Sequence, residues 1–334
     1  MLLAGAGGKF PREMGYSTGS QPESVVQGDF NGDGKGDLAV ANYSLSAVSI
    51  LLGNGNGSFR SPVNYPVASG PRFVAAGDFN HDGHQDLAVI CFRPAKSYKV
   101  GSNPLGLAVG DVNGDGALDL FVANYNDSTV SVLFGKGDGT FGKAVNYPVG
   151  SNPQFIATAD INGDGILDFV TANHYNTVSI VLGKGNGEFQ RPLNLSIGND
   201  PTCVALTDLN ADGKIDLTVV NYETGNSVIS VLLGNGDGTF GPPADYPVGN
   251  SDYLVVADFN GDGIPDIAVN NILLDTILVL QGQGDGTFQP GLNYAVGSNP
   301  LAMTAGDFQG NGKQSLAVVA YGAGQITVLL NTTP

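Results

Sequence analysis

Short apolar runs alternate with clusters of Gly, Asn, Asp and Pro along the whole chain. Residues 150–197 show the pattern, with the runs QFIATAD, DFVTANH, TVSIVLGKGNGEF and RPLNLSI following one another between turn residues. Runs this short, rich in Val, Ile, Leu and Phe, are typical of strands in an antiparallel meander. Helical patterns are absent. The pattern therefore predicts an all-β chain with four strands in each unit.

The unit recurs with the signature Asp-x-Asn-x-Asp-Gly-x-x-Asp. Successive copies begin at spacings of 49, 33, 49, 48, 50 and 49 along the chain, at Asp29, Asp78, Asp111, Asp160, Asp208, Asp258 and Asp307. Four strands repeated about seven times predict a seven-bladed β-propeller of four-stranded antiparallel blades. A chain of 334 residues is compatible with a single closed domain of this kind.

The two ends of the chain carry complementary parts of one unit. The chain stops after QITVLLN, a third strand, and its opening segment, 1–22, matches a third-strand tail and a fourth strand. We therefore predict that the N-terminal strand closes the ring within the last blade, rather than an open solenoid, which needs polar caps. The predicted divisions are 1–22 (closing strand of blade 7), 23–70, 71–103, 104–152, 153–200, 201–250, 251–299 and 300–334 (first three strands of blade 7).

The second repeat, 71–103, is clearly shorter than the others. After DLAVICF the chain passes directly to RPAKSYKV and omits the segment that elsewhere reads TVSVLFGKGDGTF. We expect this blade to be truncated and to lack its third strand. Either the unit is shortened in nature or a segment is missing from the sequence.

The Asp-rich loops have the ligand pattern of a calcium site. Carboxylates or amides at positions 1, 3, 5 and 9 and a backbone carbonyl at position 7 supply the hard oxygens that Ca²⁺ prefers, whereas zinc would require His or Cys. Glycine at position 6 permits the sharp turn. The predicted ligands of about six Ca²⁺ sites are Asp29, Asn31, Asp33, Lys35, Asp37; Asp78, Asn80, Asp82, His84, Asp86; Asp111, Asn113, Asp115, Ala117, Asp119; Asp160, Asn162, Asp164, Ile166, Asp168; Asp208, Asn210, Asp212, Lys214, Asp216; and Asp258, Asn260, Asp262, Ile264, Asp266.

A single such loop could equally be a plain Asp-Gly hairpin turn. Six copies with three carboxylates each favour a cation, and an EF-hand is excluded because position 12 lacks Glu and strands flank the loop. The seventh loop has Asp307, Gln309, Asn311 and Ser315, so we predict weak or no ion binding there.

The charge balance agrees with cation binding. The net charge is −17, contributed by 27 Asp and only 4 Glu, and 18 of the Asp residues lie in the six loops. A chain this acidic is repelled by nucleic acid and by anionic membranes. No apolar stretch is long enough to insert in a membrane and the first residues lack a signal-peptide pattern. Cys91 and Cys203 occupy different repeat positions and predict no disulfide.

The calcium affinity expected of these loops indicates where the protein is located. Loops of extracellular type have Kd values of roughly 10⁻⁴ to 10⁻³ M, so at about 1 mM calcium six sites contribute about 2.5 to 8 kcal/mol in total. At the submicromolar calcium of a cytosol the sites would be empty. We therefore predict an extracellular or cell-surface setting and coupling between folding and calcium.

The loops resemble the FG-GAP/VCBS repeat family, which includes the integrin α-subunit heads and many bacterial secreted proteins. The resemblance rests on residues 29–42, 111–124 and 258–271 and on the VLLGNGDGTF-like turn at 231–240. It is closer to the bacterial VCBS repeats than to the integrins. It implies Ca²⁺ in the loop between strands one and two, and adhesion or glycan recognition, as in a similar fungal lectin group.

The loops between strands two and three diverge most and lie on the face opposite the Asp loops. An aromatic residue follows a recurring Asn there, which suits stacking and hydrogen bonding with a sugar or peptide. The predicted ligand-binding residues are Tyr43, Tyr125, His174, Tyr175, Tyr222 and Tyr321. Alternatively, Asn42, Asn124, Asn173, Asn221 and Asn271 cap turns and the tyrosines cover the blade ends. Tyr65, Tyr147 and Tyr246 are expected to pack on outer strands.

The chain offers little for catalysis. His81 and His84 lie in a predicted calcium loop, which leaves His174 as the one other histidine, and the glycine-rich turns lack the Lys-Ser/Thr of a phosphate loop. We therefore expect a non-enzymatic recognition or adhesion module that binds a glycan or a protein, as a monomer or as part of a larger surface protein. The alternatives are a polysaccharide lyase-like enzyme and a purely structural scaffold domain.

Overall fold

The computed structural model describes residue 10, residues 13–91 and residues 98–333, and these residues form β-strands joined by turns. Blades are numbered by the repeat that forms them. No helix in these ranges is long and apolar enough to span a membrane.

The strands follow the repeats in order. They are β1 (Glu13–Ser17), which belongs to blade 7; in blade 1, β2 (Pro22–Gly28), β3 (Asp37–Asn42), β4 (Ala47–Leu51) and β5 (Val63–Pro66); in unit 2, β6 (Phe73–Gly77) and β7 (Asp86–Ile90); in blade 3, β8 (Pro104–Gly110), β9 (Asp119–Asn124), β10 (Thr129–Leu133) and β11 (Val145–Pro148); in blade 4, β12 (Pro153–Ala159), β13 (Asp168–Asn173), β14 (Thr177–Val181) and β15 (Leu193–Ser196); in blade 5, β16 (Pro201–Thr207), β17 (Asp216–Asn221), β18 (Ser227–Leu232) and β19 (Ala244–Gly249); in blade 6, β20 (Leu254–Ala257), β21 (Asp266–Asn271), β22 (Thr276–Gly282) and β23 (Phe288–Ala295); and in blade 7, β24 (Pro300–Gly306), β25 (Ser315–Ala320) and β26 (Gln325–Leu329).

The number of four-stranded blades differs from the prediction. The described residues form six antiparallel four-stranded sheets and one two-stranded sheet, β6–β7, so the prediction of seven four-stranded blades is wrong. The expected shortening of the second repeat is confirmed. Residues 92–97 of that repeat, and residues 1–9, 11 and 12 of the predicted closing segment, lie outside the described residues.

The ring closes through the N-terminal strand, as predicted. β1 pairs antiparallel with β26, from Glu13 opposite Leu329 to Ser17 opposite Gln325. The first strand of every unit, including β6, contacts the first strands of both neighbouring units around the ring. The ring of first strands is therefore continuous through unit 2, and each first strand forms the inner edge of its own sheet.

The hydrophobic core lies between neighbouring units rather than inside them. A separate cluster of buried residues fills each junction, and the one between blade 1 and unit 2 has the fewest buried members: Ala39, Ala41, Val48 and Val74. Aromatic rings from units 2, 4 and 6 meet across the axis. Phe155 lies 5.9 Å from Phe73 and 5.7 Å from Tyr253, measured between ring centroids. At this level the propeller axis is therefore filled by side chains.

Aromatic pairs join the outer parts of adjacent units. The Phe that ends a third-to-fourth turn packs edge-on against a Tyr of the preceding unit's outer segment, as in Tyr16–Phe59 at 5.6 Å and Tyr246–Phe288 at 5.6 Å. The backbone N–H of Phe59 also donates to the Tyr16 hydroxyl at 3.1 Å. Such edge-to-face pairs add about 0.5–1.5 kcal/mol each beyond their buried area.

Candidate functional site

The propeller presents two faces with different loops. The Asp loops and the third-to-fourth turns share one face, where the Gly139 N–H of the blade 3 turn donates to the Phe79 carbonyl of the unit 2 loop at 2.9 Å. The second-to-third loops and the linkers between units share the other. There the Tyr43 N–H donates to the Gln21 carbonyl at 2.9 Å. We call these the Asp-loop face and the opposite face.

Each Asp loop is held in its turn by bonds from its own backbone. In blade 3, the Asp111 carboxylate accepts from the N–H groups of Asp115 at 3.3 Å and Gly116 at 2.8 Å. Asn113 Oδ1 accepts from the Asp115 N–H, and Asp115 Oδ1 accepts from the Ala117 N–H, both at 2.9 Å. The loops that begin at Asp29, Asp160, Asp208 and Asp258 repeat this arrangement.

The glycine at position 6 is required by backbone conformation and not by space. Gly34, Gly116 and Gly165 have φ values of 78°, 89° and 81°, in the left-handed region. A Cβ added at any of them would meet no atom within 4 Å. A side chain there would therefore strain the turn through φ alone.

The Asp at position 9 is buried and bridges two loops. Asp119 Oδ2 accepts the Val112 N–H at 3.0 Å and Oδ1 accepts the Gly135 N–H at 2.8 Å, so the carboxylate ties the Asp loop to the third-to-fourth turn. Glycine at 135 allows this approach, because a Cβ there would lie 2.3 Å from the Leu118 carbonyl oxygen. The equivalent buried residues with two such bonds are Asp37, Asp168, Asp216 and Asp266.

The two kinds of Asp have opposite pKa shifts. Hydrogen bonds from loop N–H groups, that of Gly34 first, hold the pKa of Asp29 below its usual value. Burial, together with the nearby Asp115 and Asp111 carboxylates, raises the pKa of Asp119 to about 6. Burial also raises the pKa of Asp266 to about 6. At Asp119 and Asp266, burial therefore outweighs the two backbone hydrogen bonds that favour the charged form.

The predicted calcium ligands fall into two groups in space: positions 1, 3, 5 and 7 of the turn, and the buried Asp at position 9. The side chains at positions 1, 3 and 5 lie on the turn, and the position-7 residue donates its N–H to position 5, as Ala117 does to Asp115. In two loops the position-7 side chain also pairs with position 5: Lys35 with Asp33 at 3.3 Å and Lys214 with Asp212 at 3.4 Å. Within the described ranges, no three His, Cys, Asp or Glu side chains gather closely enough to hold a metal ion.

The residues present nevertheless suit a hard cation. A carboxylate that accepts backbone N–H bonds keeps further lone pairs, so Asp111 and Asp115 retain acceptor capacity. The donor set of Asp, Asn and a backbone carbonyl is the one that Ca²⁺ selects. Burial is the main cause of the raised pKa of Asp119, and the neighbouring Asp115 and Asp111 carboxylates act in the same direction.

The seventh loop keeps the turn and changes the donors. The Asp307 carboxylate accepts the N–H groups of Asn311 at 3.1 Å and Gly312 at 2.6 Å, as in the other loops. Ser315 is buried in the position-9 place, and its hydroxyl accepts the Asn331 N–H at 3.1 Å. A hydroxyl thus replaces the carboxylate that bridges loop and turn elsewhere. The seventh loop therefore folds like the other six but carries less negative charge.

Four of the five recurring Asn residues bond within their blades, whereas the fifth, Asn271, caps its turn by accepting the Leu274 N–H at 3.2 Å. The amide Nδ2 of Asn124 donates to the Ser131 hydroxyl at 2.8 Å, and the Ser131 hydroxyl lies 2.7 Å from Asn146 Oδ1. Asn42, Asn173 and Asn221 make the same bond to Ser49, Ser179 and Ser230. Because these amides are buried within the blade, they are not available to a ligand. They tie the second strand to the third.

The predicted aromatic residues occupy the opposite face but do not form one patch. Tyr43 lies under the Arg72 guanidinium, 5.7 Å from the ring centroid, and the Tyr321 hydroxyl accepts a bond from Gln21. Tyr222 lies 3.5 Å from the Thr224 hydroxyl. The structure brings together three of the six predicted residues: Tyr125, His174 and Tyr175.

These three residues and two polar neighbours form what we call the blade-4 cluster: Tyr125, Gln154, His174, Tyr175 and Asp200. The His174 ring lies 5.0 Å from Tyr175 and 6.0 Å from Tyr125, between ring centroids. His174 Nδ1 is 2.6 Å from Asp200 Oδ1, and Gln154 Nε2 donates to the same oxygen at 2.8 Å. Because a carboxylate only accepts, Nδ1 carries the proton in this contact. Tyr175 is 63% exposed beside this pair.

Gln154 and Asp200 were not predicted from the sequence. Asp200 precedes Pro201 and has a φ of 39°, at a position where three other repeats have Asn before Pro. Its carbonyl accepts the Tyr222 N–H at 2.9 Å, as the equivalent Asn103 carbonyl does for Tyr125. The one signal in the sequence was an acid in place of an amide. It did not identify His174 as the partner, because the two residues are 26 positions apart and Asp200 lies in the linker that follows β15.

Solved structures share the fold. A lectin from Agrocybe aegerita, described as recognising non-reducing terminal N-acetylglucosamine, matches with a TM-score of 0.57 and 20% identity, over 91% of this chain and 86% of that one. BBS1N in complex with ARL6DN matches in two crystals, soaked with mercury and with lead. The TM-scores are 0.67 and 0.66, each at 14% identity, over 96% of this chain and 95% or 96% of theirs.

Comparison of sequences identifies the family. No curated protein matches the chain. The family model described as "FG-GAP-like repeat" matches residues 5–89, 111–171, 160–219 and 208–269, which together cover more than half of the chain. These segments contain all six complete Asp loops, from the one that begins at Asp29 to the one that begins at Asp258. The chain therefore belongs to the FG-GAP-like repeat family.

Proposed function

We propose that this propeller is a calcium-stabilised, non-catalytic recognition module that binds a saccharide at the blade-4 cluster. The observation that carries the proposal is the fixed pair of His174 and Asp200, 2.6 Å apart, beside the exposed ring of Tyr175. An oriented carboxylate and imidazole next to an aromatic surface match the chemistry of a sugar.

The cluster offers complementary groups to a sugar ring. Sugar C–H faces stack on aromatic rings, and the 63% exposed Tyr175 presents such a ring. Hydroxyl groups can donate to the Asp200 carboxylate and exchange bonds with the Gln154 amide. Because Gln154 and His174 already hold Asp200, little side-chain freedom is lost on binding. The fold shared with the Agrocybe lectin supports a glycan.

Calcium enters this proposal as the stabiliser of the Asp-loop face. Each ion would be held by the side chains at positions 1, 3 and 5 and the carbonyl at position 7, and it would reduce the repulsion between these carboxylates and the buried one at position 9. Six ions change the formal charge from −17 to −5. The calcium requirement supports an extracellular or cell-surface location.

The test is a glycan array with the full chain, in calcium and in EDTA, followed by titration of the best hit. We expect saturable binding that Asp200→Asn and Tyr175→Ala each weaken at least tenfold. Tyr65→Ala is the matched control, because Tyr65 is 56% exposed on the outer strand β5. Binding that survives Asp200→Asn and Tyr175→Ala unchanged would disprove the assignment of the cluster.

A protein ligand is the second candidate, and a separate observation favours it. Leu273 and Leu274, in the second-to-third loop of blade 6, are each 66% exposed, and Leu45 on the same face is 41% exposed. Apolar side chains exposed in loops commonly mark protein contacts. A silent glycan array, with binding to a protein partner that Leu273→Ser and Leu274→Ser abolish, would support this alternative.

The His174–Asp200 pair also keeps the lyase-like enzyme open to test. An imidazole held by a carboxylate is the arrangement of a general base, and Tyr125 and Tyr175 lie beside it. Incubation of the purified chain with acidic polysaccharides in calcium should give no cleavage. Cleavage that His174→Ala removes would replace recognition with catalysis.

A further inference from the structure

Strand β7 of unit 2 has the sequence of a buried strand but is left partly uncovered. The second strands of the six blades, β3, β9, β13, β17, β21 and β25, are buried along their whole length. β7 reads DLAVI, like the DLAVA of β3, yet four of its five residues are only half-buried. Among the described residues, no third strand covers its apolar residues as one does in each complete blade.

A groove lies where that layer is missing. It has a volume of about 790 Å³ and runs along β7 between blade 1 and blade 3. Apolar side chains from all three units line it, and we define it by Val67, Leu87, Val89, Leu107, Leu133 and Phe141. Among the described residues, nothing pairs with the outer edge of β7. An uncovered apolar strand edge is a template for another strand.

The complete blades show what covers the equivalent place. In blade 3, the third strand β10 pairs antiparallel with β9, with Val130 opposite Ala123 and Val132 opposite Phe121. The turn after β10 then donates the Gly135 N–H to Asp119. The short spacing between Asp78 and Asp111 leaves no room in the second repeat for a strand and turn of this kind.

Asp86 of unit 2 lacks one of the two partners that its equivalents have. Its Oδ2 accepts the Phe79 N–H at 3.2 Å, as Asp119 accepts Val112. The bond that a turn glycine makes to the other oxygen in blade 3 has no counterpart among the described residues. Asp86 also lines the groove, so its open oxygen is available to an incoming N–H.

Two further features define the chemistry of the missing strand. Cys91 occupies the position at which Asn124 donates to the Ser131 hydroxyl of β10. A thiol is a weak donor, so it favours an apolar residue at that point in place of Ser. Pro66, the last residue of the outer strand β5, also lines the groove.

We propose that this groove binds an extended segment of a partner protein, which pairs antiparallel with β7 as the third strand of unit 2. The segment has alternating β-branched residues, an apolar residue beside Cys91, and a following Gly turn that donates an N–H to Asp86. It carries no net negative charge, because this chain has a net charge of −17. Recognition of this kind takes affinity from main-chain bonds and specificity from alternate side chains.

The probe is a fluorescent peptide, NNSTVSVLFGKGDGTF, which is the missing segment as blade 3 supplies it in residues 126–141. It carries the change Asp127→Asn, so that Lys136 and Asp138 leave it without net charge. Fluorescence anisotropy with the full chain in calcium should show saturable binding. The peptide with Ser131→Val should bind more tightly, and the peptide with Val130→Lys and Val132→Lys at least tenfold more weakly. The protein variant Asp86→Asn should weaken binding several-fold.

A filled variant is the decisive control. It carries the same peptide sequence inserted after Cys91, so that the groove receives its own third strand. We expect it to melt at a higher temperature than the native chain and to bind no peptide. Equal peptide binding by the filled and native chains would overturn the proposal, as would no peptide binding by the native chain.

The oligomeric state distinguishes a partner protein from the other possible occupant of the groove, a second copy of this chain. Sedimentation of the native chain should show a monomer at concentrations where the peptide binds. A native dimer that the filled variant does not form would overturn the choice of partner and assign the groove to a second copy of this chain.

Discussion

The two faces of the propeller are held by different kinds of contact. On the Asp-loop face, backbone N–H groups donate to carboxylates in a pattern that blade after blade repeats, as Val112 and Gly135 do to Asp119. On the opposite face, side chains of neighbouring units meet in pairs that differ at each junction, such as Arg72 with Tyr43 and Tyr125 with His174. The repeated contacts fix the ring, and the unrepeated ones leave room for specificity.

Calcium removal should be the largest perturbation, and it should act through the Asp-loop face alone. With six sites of extracellular affinity, EDTA lowers the free energy of unfolding by about 2.5 to 8 kcal/mol. Thermal melts in calcium at the concentration assumed above and in EDTA measure this. Identical melting curves would show that calcium does not stabilise the Asp-loop face.

The contribution of the bridging position-9 carboxylate to the free energy of unfolding should differ between a complete blade and unit 2. Asp119→Ala leaves two buried backbone N–H groups without an acceptor and should lower the free energy of unfolding by about 2–4 kcal/mol. Asp86→Ala removes one acceptor from a half-buried site and should cost about 1 kcal/mol. Urea denaturation of both variants in calcium measures the two losses. Equal losses would mean that the bond to the turn adds nothing.

The pH dependence in EDTA should reveal the buried carboxylates of the Asp-loop face. Asp119 and Asp266 have a pKa of about 6 in the folded chain, above the unfolded value of 3.8, so the folded state binds protons first. Stability should therefore rise as the pH falls from about 7.5 to 5.5, by about 1–2 kcal/mol in total after allowance for partial solvation.

The same titration should reverse at lower pH. Asp29 and Asp307 have lowered pKa values, so their contribution is present above the unfolded pKa and is lost as the pH falls through the folded one. Melting temperatures measured from about pH 7.5 to about pH 3 should pass through a maximum. Saturating calcium should reduce the rise on the neutral side of that maximum to the part contributed by Asp252, which lies outside the Asp loops and whose pKa burial raises to about 6. A monotonic curve in EDTA would contradict the assignment.

Substitutions on the opposite face should change stability least. Tyr175→Ala removes a 63% exposed side chain and should alter the free energy of unfolding by no more than about 0.5 kcal/mol. Phe189→Ala in the core between blades 3 and 4 is the contrast, with an expected loss of about 3–5 kcal/mol. Comparable losses for Tyr175→Ala and Phe189→Ala would show that the opposite face is also structural.

The repeated features were predictable because the chain contains many copies of them. Strand order, the Asp loops and the closing strand follow from short apolar runs and a fixed spacing, which depend on contacts within one repeat. The buried role of Asn124 was missed because an Asn before an aromatic also fits a capped turn. Only the register of β9 with β10 places its amide against Ser131.

Contacts between units were the part that the sequence could not supply. The pairing of His174 with Asp200 depends on how blade 4 meets the linker to blade 5, a geometry that no single repeat encodes. The count of four-stranded blades was wrong for a related reason. The shortening of the second repeat removed its pairing beyond β7, whereas the ring of first strands stayed closed through β6.

The closing strand also decides how the ring responds to mechanical force. Glu13 and Leu329 lie opposite each other at the same end of the β1–β26 ladder. A pull that separates these two residues therefore loads the backbone hydrogen bonds one after another, as in opening a zip, and not all of them at once. Under such a pull, this five-residue ladder would yield before the other strand pairs of the six sheets.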